Sequence, residues 1–167
     1  MTLTPQMAEY EQKFTDAGEV RWLPYLMYFH PTDHCSPVVN TDSSGFRYSE
    51  SLGTSYSVID GGKSNGPVRL LAGSSTVFGI GASADSWTLA SRLTHNDSRG
   101  QRWINFGGRS FNSTQELVLF TLNRHTCRRW MKSCCSPGST TWAWHASPRP
   151  IGANTGRFST AISFSMP

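Results

Sequence analysis

The sequence predicts an α/β fold built on a parallel sheet, and three observations carry that expectation. Two short apolar segments, Val68 to Ala72 in "GPVRLLAGSS" and the middle of "GQRWINFGG", are bounded by glycine, proline and small residues, as buried strands are. Each is followed by a helical pattern with a polar cap, first "WTLASRLTH" and then "NSTQELVLFTLNRH". Strand, helix, strand, helix at these lengths is the order of right-handed βαβ units. Such sheets carry their chemistry beyond the carboxyl ends of the strands.

In chain order, Pro5 to Phe14 reads as a short amphipathic helix with Glu9, Glu11 and Lys13 outward. The segment "VRWLPYLMYFHPTDHCSPVV" is rich in aromatics, and its prolines block long regular elements. His30 and His34, in "HPTDH", read as surface histidines. "NTDSSGFRYSESLG" is turn chemistry. After the first strand, "TVFGIGASADS" is a glycine-rich loop. Asp85 or Ser86 is placed to cap the next helix, with Trp87, Ala90 and Leu93 on its inner face. The second strand ends in paired glycines. The helix after it starts at Asn112 or Ser113, with Gln115 or Glu116 in place for a capping box.

A chain of 167 residues is the size of one domain. Its apolar runs, such as Leu117 to Leu122, fall far short of the roughly eighteen residues of a membrane span. The N-terminus lacks the basic and apolar regions of a secretory signal, so a cytoplasmic location is expected. Cys35 is isolated and Cys134 and Cys135 are adjacent, which is no secreted disulfide framework. The formal charge of +4 is unevenly spread. Up to Glu116 there are nine basic residues against eleven acidic ones; from Leu117 onward there are six basic residues and no acid. The composition breaks near Arg124, as if two texts were joined there.

The strand-end rule selects Gly73-Ser74-Ser75-Thr76 and Asn105-Phe106-Gly107-Gly108 as the candidate site. A serine in such a loop is a nucleophile when a histidine accepts its proton and neighbouring N–H groups hold the oxyanion. Small residues are equally what a tight βα turn requires. A rival pattern, Gly79-Ile80-Gly81-Ala82-Ser83-Ala84, fits the dinucleotide motif, but the strand ends near Gly73 and no acidic residue closes the second strand to hold a ribose. A phosphate loop fails for want of Gly-Lys-Ser/Thr.

The blocks "LLAGSSTVFGIGASADSWTLASRL" and "INFGGRSFNSTQEL" together resemble the SGNH (GDSL-type) hydrolase family over roughly Val68 to Leu122. The resemblance implies a three-layer α/β/α, flavodoxin-like sheet, incomplete in this chain, and a serine esterase or deacylase. Ser75 is then the nucleophile, with its own N–H and that of Gly107 in the oxyanion hole, while Asn105 and Gln115 are structural. No cofactor or metal is implied, and the partner is a small-molecule or carbohydrate ester. Ser74 replaces the usual Asp or Gly, and Arg109-Ser110 replaces the common Pro-Gly. The family's later Gly-x-Asn-Asp and Asp-x-x-His blocks are missing: the last histidine is His145, and no Asp follows Asp97.

The stretch "HTCRRWMKSCCSPGSTTWAWHA", His125 to Ala146, accounts for part of that gap. New codons formed from the last base of each codon and the first two of the next give forced residues. Trp130 into Met131 gives Asp, Met131 into Lys132 gives Glu, and Cys134 into Cys135 gives Leu. Trp142 into Ala143 gives Gly, and Trp144 into His145 gives Ala. The hidden reading is compatible with "V-D-E-I-V-L-F-S-G-F-N-N-L-G-L-A", a strand and a Gly-x-Asn-Asn turn where the third block belongs. A reading-frame shift near Arg124 to Arg129 is therefore expected.

Three segments follow: an N-terminal helix and irregular lead-in over 1–62, the first two βα units over 63–124, and an out-of-frame, poorly ordered tail over 125–167. A zinc site from His125, Cys127, Cys134, Cys135 and His145 is disfavoured because adjacent cysteines are not the usual spaced pair. Arg128, Arg129 and Lys132 with Trp130, Trp142 and Trp144 have nucleic-acid-binding residue types without a recognisable module. The expected function is that of a serine hydrolase inactive in this form, with nucleic acid not expected as a partner. The alternative is a small basic module whose tail engages nucleic acid or another anionic partner.

Overall fold

The computed structural model describes residues 4–14, 21–63, 68–131 and 162–164. Helix α1 (Met7–Lys13) opens the chain and buries Tyr10. Glu9 is not turned outward as its spacing suggested: its carboxylate accepts hydrogen bonds from Ser36 Oγ at 2.5 Å and pairs with His34 Nε2 at 2.8 Å. The lead-in is also more regular than its prolines imply. Strands β1 (Arg21–Leu23) and β2 (Met27–Phe29) form one antiparallel hairpin, β3 (Ser49–Ser51) and β4 (Thr54–Tyr56) a second. Leu52 and Gly53 both take positive φ, 51° and 71°, as the tightest two-residue hairpins need.

The main sheet begins with β5 (Val68–Gly73), which continues through α2 (Ser75–Phe78) and α3 (Leu89–Asn96) to β6 (Arg102–Gly107). β5 and β6 are parallel, in register from Val68↔Arg102 to Gly73↔Gly107. Helices α4 (Ser113–Leu122) and α5 (Arg124–Met131) follow. The other edge of β5 is taken by β7 (Ile162–Phe164), which runs antiparallel, so the sheet is mixed rather than wholly parallel. An edge strand offers unpaired N–H and C=O groups that even a three-residue segment satisfies in part.

Two helix starts show how local chemistry sets the boundaries. α4 has the expected capping box: Asn112 Oδ1 accepts from Gln115 N–H at 3.0 Å, and Gln115 Oε1 accepts from Asn112 N–H at 3.1 Å. The cap of α3 is Thr88, not Asp85 or Ser86, because Asp85–Trp87 forms a separate 3₁₀ turn. Trp87 is consequently 62% exposed, while Ala90 is buried and Leu93 packs against it.

Strand alternation divides the core. Leu71 and Trp103 pack with Val77, Ala90 and Leu93. Leu70, Ala72, Ile104 and Phe106 point the other way, to Leu119 and Phe111. That second cluster also takes Leu26, Phe29, Phe46, Tyr56 and Val58 from the lead-in, and Cys127 from α5. One core therefore spans residues on both sides of position 62, each large buried side chain contributing roughly 2 kcal/mol. The tail expected from residue 125 is helical as far as Met131. The rest of it, apart from β7, lies outside the described residues, as do Cys134, Cys135, Trp142, Trp144 and His145. Among the described residues no helix is long and apolar enough to cross a membrane.

Candidate active site

The parallel register brings the two strand-end loops side by side. Gly108 N–H donates to Gly73 O at 2.8 Å, and the chain beyond Gly73 turns at Ser74 into α2. Ser75 is the first residue of that helix and is half-buried. Its carbonyl accepts from Gly79 and Ile80, whereas neither its hydroxyl nor its N–H has a hydrogen-bond partner among the described residues.

α2 is pressed directly onto the end of β6. A Cβ at Gly107 would sit 2.2 Å from Phe78 N and 2.7 Å from Phe78 Cα, so only glycine permits the approach. Asn105 locks it: Nδ2 donates to Val77 O at 2.9 Å, and Oδ1 accepts from Gly107 N–H at 3.0 Å. Asn105 thus does structural work. The Gly107 N–H, which the resemblance gives to an oxyanion hole, is turned toward Asn105.

Beside Ser75 lies a cleft of about 290 Å³. Met7, Tyr10 and Glu11 of α1 and Phe14 just after it form one wall; Ser75, Ile80, Arg109 and Ser110 form the other. Arg109 is buried, and its guanidinium lies 5.6 Å from the Tyr28 ring centroid. The Arg109 backbone N–H donates to His30 Nε2 at 3.1 Å, and His30 Nδ1 pairs with Gly45 O at 3.0 Å, which makes Nδ1 the protonated nitrogen.

His30 is buried, not a surface residue, and stacks on Phe78 with ring centroids 3.9 Å apart. Burial, with the charges of Arg109, Arg21 and Arg47, lowers its pKa to about 3, so the ring is neutral at physiological pH. Both ring nitrogens are committed to the scaffold. His34 is held by Glu9. Among the described residues no histidine lines the cleft with Ser75.

A buried ion pair that local reading missed fixes the loop after α2. Arg47 Nε donates to Asp85 Oδ1 at 2.7 Å, and Asn40 Nδ2 donates to Asp85 Oδ2 at 2.8 Å. Arg47 Nη1 donates to Gly79 O at 2.8 Å and to Tyr10 Oη at 2.9 Å; Nη2 donates to Val38 O at 2.7 Å. Gly79 is left-handed at φ 92°, which exposes its carbonyl to these donors. The Gly79-x-Gly81 loop therefore presents carbonyls to internal cations and hydroxyls, the reverse of a dinucleotide cradle of N–H groups. Among the described residues no group of three or more His, Cys, Asp or Glu side chains is arranged to hold a metal. Set against protein-family models and against curated proteins, the chain matches none.

Proposed function

We propose that this chain carries the N-terminal part of an SGNH-type serine esterase or deacylase, with Ser75 as its nucleophile. The observation that carries the reading is the juxtaposition at the strand ends: Ser75 stands at the start of a helix, beside a glycine of the neighbouring parallel strand, and opens on a small cleft. In the reaction Ser75 Oγ gives its proton to a base and bonds to the ester carbonyl carbon, the proton passes to the departing alcohol, and water then releases the acyl group as a carboxylic acid. Ser75 N–H is the first oxyanion donor. Gly107 N–H joins it by giving up its bond to Asn105 Oδ1. The finer fold follows from the same reading: a three-layer, flavodoxin-like sheet whose third parallel strand is lost to the frame shift, with β7 on the edge that strand would occupy.

The serine still needs a base, and the described residues bring no histidine to it. The 167-residue chain should therefore hydrolyse a short p-nitrophenyl ester negligibly; hydrolysis abolished by Ser75→Ala would refute this. Nucleotide sequence across codons 120 to 146 tests the frame shift: the alternative frame should stay open and later encode Asp-x-x-His. The frame-restored chain should gain hydrolysis that depends on Ser75.

A further inference from the structure

We propose that Trp22 is a stacking platform for a pyranose ring beside the Ser75 cleft, the sugar being the alcohol part of the ester. This rests on the esterase reading for the chemistry of the cleft and adds the substrate class and the residue that selects it. In the hairpin of β1 and β2, Trp22 stands opposite Tyr28, so both project from one face with Cβ atoms about 5 Å apart. Tyr28 Oη donates to Ser110 O at 3.3 Å, and Ser110 lines the cleft. The hairpin face therefore continues from the cleft rim.

The Tyr28 ring is already covered, by the Arg109 guanidinium 5.6 Å from its centroid and by the T-shaped contact of Phe111 at 5.9 Å. Trp22 is 69% exposed, and among the described residues no ring, guanidinium or hydrogen-bonding group is paired with its indole. The frame under it is fixed. Leu26 in the turn is fully buried, Gln115 Nε2 donates to Leu26 O at 3.2 Å, and Arg21 Nη2 donates to Ser44 O at 2.6 Å. On either side of Leu26, Tyr25 and Met27 are held at positive φ, 68° and 74°, backbone strain of the kind that collects at ligand clamps.

A pyranose with equatorial substituents carries axial C–H groups on its faces, which bury against an indole, and hydroxyls at its edge, which stay in water. A bilayer or a protein partner needs a wide apolar patch instead. Strand alternation turns Met27 to the face opposite Trp22. Up to Glu116 the nine basic residues are outnumbered by eleven acidic ones, which gives an anionic lipid surface nothing to attract.

The test is an NMR titration of the full 167-residue chain with cellotetraose, a chain of β-linked pyranoses, and with sorbitol, an open-chain polyol. Cellotetraose should give saturable shifts at the Trp22 indole Nε1–H and the Ser110 amide, with sorbitol binding at least about tenfold more weakly. Trp22→Ala should weaken cellotetraose by about tenfold or more and Trp22→Tyr by less. Trp22 is exposed, so neither change disturbs the fold.

No saturable cellotetraose binding overturns the proposal. So does binding no tighter than that of sorbitol, or binding unchanged in Trp22→Ala. Trp22-dependent dimers in sedimentation, or Trp22-dependent binding to phosphatidylcholine vesicles, in a protein indifferent to cellotetraose would assign the ring to a second copy or to a bilayer. The two readings fail separately: Trp22-dependent cellotetraose binding without Ser75-dependent hydrolysis in the frame-restored chain sinks the esterase alone. Such hydrolysis in a protein indifferent to cellotetraose sinks the platform alone.

Discussion

Protonating His30 should unlock the loop that carries Arg109. The neutral ring accepts from Arg109 N–H and donates to Gly45 O, so a second ring proton would set donor against donor. Its folded pKa is about 3, against 6.5 for the free side chain. Between those values the unfolded chain binds the extra proton and the folded one does not, so this histidine's contribution is full above pH 6.5 and is lost as pH falls toward 3.

At pH 5 the loss amounts to about 2 kcal/mol, a large share of the 5–15 kcal/mol that holds a domain together. Burial raises the pKa values of Asp42 and Glu116, which stabilise in the opposite sense on acidification, so the whole-protein curve mixes signs. The clean quantity is the stability difference between wild type and His30→Gln, from urea unfolding at pH 7 and pH 5. It should shrink by about 2 kcal/mol. A difference constant to within about 0.5 kcal/mol would show that His30 titrates normally or is not held as described.

Gly107→Ala should cost about 3 kcal/mol or more in urea unfolding, because the new Cβ meets the backbone of Phe78 and forces α2 off Asn105; a cost under about 1 kcal/mol would contradict the contact. Arg47→Met should cost roughly 3–5 kcal/mol by stranding the buried Asp85 carboxylate. Thr88→Ala should cost about 1 kcal/mol as a lost helix cap, while Trp87→Ala stays within about 0.5 kcal/mol. Burial pushes the Cys127 thiol up to about 12, so iodoacetamide at pH 8 followed by peptide mass spectrometry should modify exposed Cys35 first and Cys127 only on unfolding.

Local signals made the two parallel strands of the sheet legible, but not the antiparallel β7. The apolar runs at Val68 and Ile104, the Asn112 to Gln115 capping box and the small residues at both strand ends all act within a few residues of themselves. The lead-in was not legible, since its order comes from partners far along the chain. Arg47 reaches Asp85 across 38 positions, and Arg109 reaches His30 across 79. No periodicity encodes such pairs. Asp85 looked like a cap because an acid before a helical pattern usually is one. Its burial beside Arg47 is a tertiary override, and Thr88, three residues on, took the cap instead.

The candidate cleft depends on such long-range anchors as much as on the sheet. One wall is α1, held by Tyr10 to Gly79 O and Ala82 O; the Arg109 loop hangs on His30; the loop after α2 hangs on Arg47. None of these anchors lies beyond Arg109, so the shape of the cleft is set upstream of the proposed frame shift. On the proposed reading the base lies downstream of it. Binding and turnover are then encoded on opposite sides of one junction. The chain as it stands should keep the first and lack the second, and restoring the frame should add hydrolysis that Ser75→Ala abolishes.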